Sequence, residues 1–299
     1  MPLTEPLVSI IIVSADSGAG LRGCVTRALA SSVPIEIILV DNASSDGVPQ
    51  AIAREYADDA RVRVEFNGAN LGFGPAVNRG AKLVNAGALL ILNPDCMLEP
   101  GTVAKLLDVQ RDHPQAGVIG AVVCDANGEP DPASRRRDPL LRRSLMTLSG
   151  LARREDAGPK YAGVNVPGPM PDATVEVENV SGALMLVPRP VFEQLGGFDE
   201  HYFLHCEDLD LCRRARDAGF EVLLAGHVRV LHGKGGSSRH RPVFVSRHKH
   251  RGMWRWFRKF DPAARNPVTR MAVWCGIWLH FALTAPVLAI RRRGQARHQ

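Results

Sequence analysis

The 299-residue chain is 45% hydrophobic and 23% charged, which excludes a disordered tract or a fibrous repeat and leaves room for a sizeable core. Its 37 basic and 31 acidic residues give a net charge of +6. That balance fits an anionic partner, whether nucleic acid, a phosphorylated substrate or an acidic membrane surface.

MPLTEPLVSIIIVSADSG opens the sequence with no basic start and no small-residue cleavage site, so no signal peptide is expected. Short apolar or β-branched runs at 8–13 (VSIIIV), 35–40 (IEIILV), 62–66 (VRVEF), 88–92 (ALLIL) and 117–123 (GVIGAVV) have the length of buried strands. Helix-like stretches at about 21–31, 48–57, 75–86 and 102–112 alternate with them, which predicts βαβ units on a parallel sheet. Ligands of such sheets sit beyond the carboxyl ends of the strands. That rim receives Ser14 to Asp16, Asp41 to Asp46, Asn67 to Phe73, and Asn93-Pro94-Asp95, all polar or turn-forming.

Residues 124–175 break the pattern with prolines, glycines and basic clusters. They read either as an excursion lying against an acceptor or membrane, or as a solvated variable loop. Regular structure returns at 181–187 (SGALMLV), a helix near 190–195, and a helix within HCEDLDLCRRARDAG (205–219). Residues 247–260 interleave basic and aromatic side chains, and 271–290 are apolar except for His280 and Thr284. The last stretch is long enough to span a bilayer, yet Pro286, His280 and the flanking arginines fit an interfacial helix as well, and a packed core helix is the bland reading. Cys24, Cys96, Cys124, Cys206, Cys212 and Cys275 form no CxxC pair, so a reduced, intracellular protein is expected.

Four motifs carry chemistry. Asn93 and Asp95, two apart at a strand end, can face one ligand together, and their hard oxygens suit Mg²⁺ or Mn²⁺ shared with phosphate; the bland reading is an Asx turn. DNASSDG (41–47) offers carboxylate, amide and hydroxyl groups to a base or ribose, with Asp46 also placed to cap the helix from Val48. In 205–219, Glu207, Asp208 and Asp210 suit a helix N-terminus and Asp210 pairs with Arg214 at i,i+4; the sharper reading makes one carboxylate a general base. His232 ends a β-branched run before a glycine-rich loop carrying Lys234, and gains weight from its company. A zinc site from His201, His205 and Cys206 lacks a second ligand pair. Gly18-Ala19-Gly20-Leu21-Arg22-Gly23 formally matches GxGxxG, which opens a rival reading as an NAD-dependent oxidoreductase.

Taken in order, VSIIIVS, VDNASSDG, NLGFGPAVNRG, LNPD, VSGALMLVPRPVFEQLGGFDEHYFLHCEDLDLCRRARDAGF and VLHGKGGSS resemble a family 2 glycosyltransferase, nearest to its rhamnosyltransferase-like branch. The resemblance implies the GT-A fold, an α/β nucleotide-diphospho-sugar transferase with a Rossmann-like, mostly parallel sheet. It covers about 8–238, so a catalytic domain 1–238 and a membrane-associating C-terminal region 239–299 are expected. It implies that Ser14, Asp41 and Asn42 meet the nucleotide, that Asn70, Gly72 and Phe73 line the sugar-nucleotide pocket, and that Glu207 also contacts substrate. Asp95 would hold a divalent metal with His232, and Asp208 would be the catalytic base. Asn93 stands where many members have Asp, and is either a weaker ligand or a ribose contact. The implied reaction is inverting transfer from a nucleoside-diphosphate sugar, dTDP-rhamnose first, to a saccharide or polyprenyl-diphosphate-linked acceptor, at the cytoplasmic face of the membrane and without nucleic acid. A non-catalytic nucleotide-sugar-binding protein is the other rival.

Overall fold

All seven residues of β1 (Val8–Ser14) are buried, and both faces of the strand are covered. A continuous apolar run of that length gives a strand at the centre of a doubly covered sheet. The computed structural model describes residues 8–233 and 241–295, with side chains to residue 290. Lys234 and the rest of the glycine-rich loop lie outside the described residues.

β1 lies between β2 (Ile35–Asp41) and β4 (Ala88–Leu92), and β3 (Val62–Phe66) adds to β2, all in parallel. The crossovers are α1 (Gly20–Leu29), α2 (Val48–Glu55) and α3 (Phe73–Ala81), as the alternation predicted. A short β5 (Cys96–Met97) and α4 (Thr102–Asp112) lead to β6 (Ala116–Cys124). Here the expected parallel succession fails. β6 does not pair with β4, because β10 (Leu184–Pro188) lies between them, antiparallel to both. The sheet order is β3-β2-β1-β4-β10-β6-β11-β5, where β11 is Glu221–His232; β8 (Thr174–Glu176) pairs with β11. The sheet is therefore mixed.

That insertion matters for the site. β6 ends on the same rim as β1, β2 and β4, and an antiparallel β10 must start there, so the 125–183 excursion both leaves and returns at the rim. The excursion is ordered: it holds β7 (Arg135–Arg136), α5 (Leu141–Leu148), 3-10 turns, β8 and β9 (Asn179–Val180), with β7 paired to β9. After β10 come α6 (Arg189–Gln194) and α7 (Glu207–Asp217).

Alternating side chains of the sheet feed two cores. Ile10, Ile12, Leu39 and Leu90 pack with Leu21 and Val25 of α1 and Leu106 of α4. Ile11, Val40, Leu89 and Ile91 pack with Val77 of α3 and Leu211 and Ala215 of α7. A third cluster joins Tyr202, Cys206 and Leu209 to Trp256 of α8 (Pro242–Phe260). α8 is also held by charge: Arg255 and Lys259 both reach Asp199, and Lys259 reaches the fully buried Asp210 at 2.6 Å. α9 (Pro267–Gln295) turns back along α8, and its apolar stretch 267–290 is unburied.

Candidate active site

β4 stops at Leu92 because the next backbone amide, of Asn93, donates to Ala183 O at 2.9 Å, while Pro94 has no amide to offer a ladder. Asp95 is then gripped from the far side of the sheet. β5 pairs with the end of β11, putting His232 opposite Cys96, and Gly233 N donates to Asp95 O at 2.9 Å. The result is Asp95 Oδ1 lying 2.9 Å from His232 Nε2, with Asn93 Nδ2 3.4 Å from the same nitrogen. Asp95 and His232 side chains are 16% and 17% exposed, open enough to take a ligand. A carboxylate beside an imidazole is a donor set that fits a divalent cation. Cys96 is close by but belongs to the core: it is fully buried, its Sγ donates to Ala183 O, and burial pushes its thiol well up, away from the thiolate a metal needs.

These residues line a cavity of about 440 Å³ together with Asn42, Asn70, Gly72, Phe73, Glu207 and Asp208. Ser14 and Asp41 do not line it. Ser14 is fully buried and bonds the hydroxyls of Ser17 and Ser44, and Asp41 accepts from Ser44 N at 3.1 Å. They brace the loops whose Ala15, Asp16 and Ser17 reach the cavity wall. Burial raises the Asp41 carboxyl, opposed by its bonds to Ser44. Asn42 shapes the neighbouring loop, donating to Gly72 O at 3.0 Å and accepting from Asn67 at 2.7 Å. Gly72 has φ +93, and a Cβ there would stand 2.6 Å from Phe203 O, so only glycine lets the two loops touch.

α7 begins at the cavity. The two residues before it, His205 and Cys206, both have positive φ (69° and 71°), a conformation that costs energy for non-glycine residues. Gly252 of α8 backs this turn; a Cβ there would lie 2.7 Å from His205 O. The turn delivers Glu207 and Asp208 to the cavity in the first turn of α7, where the helix dipole favours negative charge. Asp208 Oδ1 accepts from Leu209 N at 2.9 Å; Oδ2 accepts from Gly182 N at 3.2 Å and from Arg136 Nη2 at 2.7 Å. Glu207 is buried, its Oε2 has no hydrogen-bond partner among the described residues, and its pKa is raised to about 8, mainly by burial and secondarily by Asp208. Burial likewise lowers His205 to about 4, so the imidazole is neutral at pH 7.

Sequence reasoning missed Arg136. It stood in a basic run of the excursion, and nothing local distinguishes it from Arg135, which instead donates to the carbonyls of Pro167, Gly168 and Pro169. Phe203, Arg241 and Phe244 also line the cavity, Arg241 stacking over Phe244 with 4.7 Å to the ring centroid.

The glycine fingerprint does not form a dinucleotide site. Gly18 N donates to the Asp46 carboxylate at 2.9 Å, so a protein anion already occupies the place a pyrophosphate would take, and Gly23 packs against Met97. Asp46 also accepts from Val48 N at 3.0 Å; it supplies the cap of α2, although Gly47 occupies the N-cap position.

Comparison with known proteins identifies the family and the fold. The family model for glycosyl transferase family 2 matches residues 9–165. Over 274 residues the chain is 32% identical to an N-acetylglucosaminyl-diphospho-decaprenol L-rhamnosyltransferase of Mycobacterium tuberculosis, covering 83% of this chain and 87% of that protein. Among solved structures, a mannosyltransferase of Pyrobaculum calidifontis with GDP-mannose and Mn²⁺ is similar with TM-score 0.58 and 17% identity, over 100% of this chain and 77% of that one. TarS of S. aureus with UDP-GlcNAc is similar with TM-score 0.56 and 14% identity, over 93% and 81%. Those two likenesses concern the fold, which is GT-A. By the family model and the likeness over most of both chains together, the chain belongs to glycosyl transferase family 2.

Proposed function

We propose that this glycosyltransferase moves rhamnose from dTDP-rhamnose to a polyprenyl-diphosphate-linked saccharide, with inversion, at the cytoplasmic face of a membrane. The observation that carries the chemistry is the placing of Asp208, at a helix mouth, in the same cavity as the Asp95–His232 pair. The mycobacterial relative's name supports the sugar and the lipid-linked acceptor. Residues 1–238 form the catalytic unit of this reading and 239–299 its membrane-associating region.

Asn42, Asn70 and Gly72 border the nucleotide end of the cavity, and the Ser14 and Asp41 loops hold that wall in place. Asp95 and His232 would hold a divalent cation, Mg²⁺ or Mn²⁺, which supplies charge stabilisation to the departing diphosphate. Asp208 accepts the proton of the acceptor hydroxyl; that oxygen bonds to the anomeric carbon as the carbon–oxygen bond to the diphosphate breaks. For this, Arg136 must yield Oδ2 to the incoming hydroxyl. Released, it is a cation beside the acceptor. Buried Glu207, whose carboxyl burial and then Asp208 push upward toward the protonated form, offers a hydrogen bond to a substrate oxygen through Oε2, which has no partner among the described residues.

The excursion supports a lipid-linked acceptor. It runs from Arg136, at the base, to exposed Leu145, Leu148 and Leu151. Exposed Arg142, Arg153 and Arg154 lie in the same segment, a composition suited to an anionic lipid surface.

The test is a transfer assay with dTDP-rhamnose against UDP- and GDP-sugars, using a polyprenyl-diphosphate-linked saccharide and a soluble saccharide as acceptors. Preference for dTDP-rhamnose and the lipid-linked acceptor is expected. Transfer from another donor only, or to soluble saccharide only, would overturn the respective half.

A further inference from the structure

The membrane association proposed above leaves open how α9 meets the bilayer, since its 267–290 stretch is long and apolar enough to cross one. Its contacts with α8 decide between crossing and lying flat. His250 Nε2 meets His280 Nδ1 at 2.9 Å, the two rings stack with centroids 5.2 Å apart, and Phe281 lies edge-on to His250. His280 lies about 20 Å along α9 from Pro267, at 1.5 Å rise per residue. Were α9 upright with Pro267 at one surface, His250 would sit about 20 Å deep in a hydrocarbon layer of ~30 Å. α8 would go with it, and so would its exposed Arg247, Lys249 and Arg251.

Nor can α8 detach without cost to the catalytic domain. Trp256 is 1% exposed, Gly252 packs on His205 O, and Arg255 holds Asp199 through two nitrogens. An upright α9 would therefore draw part of the catalytic domain into lipid. Lying flat, the same hairpin is consistent with water and lipid at once. α9 presents Met271, Leu279, Leu283 and Ile290, each at least 60% exposed, to hydrocarbon, while the cations of α8 stay at headgroup level.

We propose that α9 is an in-plane anchor: it lies in the headgroup–acyl boundary of one leaflet of an anionic membrane, pinned parallel to the surface by the His250–His280 contact with α8, and does not cross. The proposal rests on the membrane reading, and its test separates the two.

Cys275 provides the probe, being exposed in α9 while the other five cysteines are buried. The full-length protein is labelled there with an environment-sensitive maleimide dye and mixed with phosphatidylcholine–phosphatidylglycerol vesicles. Met271→Cys, Leu279→Cys, Leu283→Cys and Val287→Cys, each in a Cys275→Ser background, extend the series. Quenching is read with lipids spin-labelled near the headgroup or near the chain end. The expected result is stronger quenching by the shallow label at every position. A profile that passes to the deep label around Leu279 and returns to shallow at Val287 would overturn the in-plane anchor and leave membrane association standing. Absence of lipid quenching everywhere, with self-quenching that grows with protein concentration, would mean that a second copy covers α9, and would overturn both.

Discussion

The pairing of Arg136 with Asp208 gives a double-mutant cycle in which stability and catalysis part company. Arg136 Nη2 stands 2.7 Å from Asp208 Oδ2, and the side chains are 22% and 14% exposed. Breaking a fully buried ion pair by removing one partner costs about 3–5 kcal/mol, and an exposed one about 0–1. With this intermediate exposure, Asp208→Asn or Arg136→Met should each lose roughly 1–3 kcal/mol. For a chain this long that is a drop of about 2–6 °C in Tm. The double variant removes both charges, so it should recover about half or more of the summed loss, a coupling of roughly 1 kcal/mol or more. Catalysis should show no such recovery. Asp208→Asn lacks the proton acceptor and should lose about 10²–10⁴ in turnover, alone or with Arg136→Met, while its donor-induced Tm rise persists. Differential scanning fluorimetry and a coupled assay of nucleoside-diphosphate release measure the two sides. Near-normal turnover of Asp208→Asn removes it as the base, and strictly additive Tm losses would refute the ion-pair argument.

Three other outcomes are expected. Asp95→Asn should abolish the additional Tm rise that Mn²⁺ gives in the presence of dTDP, as should chelation of the wild type with EDTA; a dTDP shift indifferent to both would exclude the Asp95–His232 metal site. Glu207 has a folded pKa of about 8 against an ordinary 4.5, so its contribution to stability is full below pH 4.5 and lost as pH rises through 8. The Tm of Glu207→Gln relative to wild type should accordingly climb between pH 5 and 8 by the equivalent of a few kcal/mol and then level off; a gap independent of pH would refute the buried, protonated carboxyl. Gly252→Ala drives a Cβ to 2.7 Å from His205 O and should cost about 1–3 kcal/mol while lowering kcat more than donor affinity, because the displaced turn carries Glu207 and Asp208. A fully active, equally stable alanine variant would mean that α8 does not fix that turn.

The first half of the fold was legible because each strand is one short apolar run and each crossover helix is local. Val8–Ser14, Ile35–Asp41, Val62–Phe66 and Ala88–Leu92 fall within a residue of the sequence assignments. What escaped was non-local. SGALMLV reads as a strand, but no periodicity says that Leu184–Pro188 inserts antiparallel between β4 and β6. Helix α3 starts two residues earlier than expected, at Phe73, since Gly72 must touch Phe203, a contact made across 131 positions of sequence. The same distinction runs through the site. Asn93-Pro94-Asp95 and Glu207-Asp208 announce themselves by clustering polar groups at an element's end. Ser14 and Asp41 carry the same polar signature at strand ends, yet their side chains are spent on holding loops. Arg136 could be found only by folding the excursion back, because its partner lies 72 residues away.

The ion pairs beyond the cavity connect these features into one device. Asp210 is fully buried two residues after Asp208, and it spends one oxygen on Arg214 of its own helix and the other on Lys259 of α8. The first pair alone, an i,i+4 contact, would satisfy the sequence reading of a dipole-stabilised helix. The second does more, because it ties α7, which carries Asp208, to the helix on which α9 rests. Asp199 repeats the tie from the loop before α7, holding both Arg255 and Lys259, and those contacts lower its carboxyl well below the usual range against the opposing effect of burial. The excursion joins the same block where Leu141 N donates to Asp261, at the elbow between α8 and α9. Buried, multiply bonded carboxylates of this kind resist sliding, since any shift leaves a charge unpaired in a low dielectric. The height of Asp208 above α9 is thereby fixed by side-chain chemistry. If α9 rests in a membrane and the acceptor is lipid-linked, as proposed, that acceptor needs no search along the membrane normal to bring its hydroxyl to Asp208.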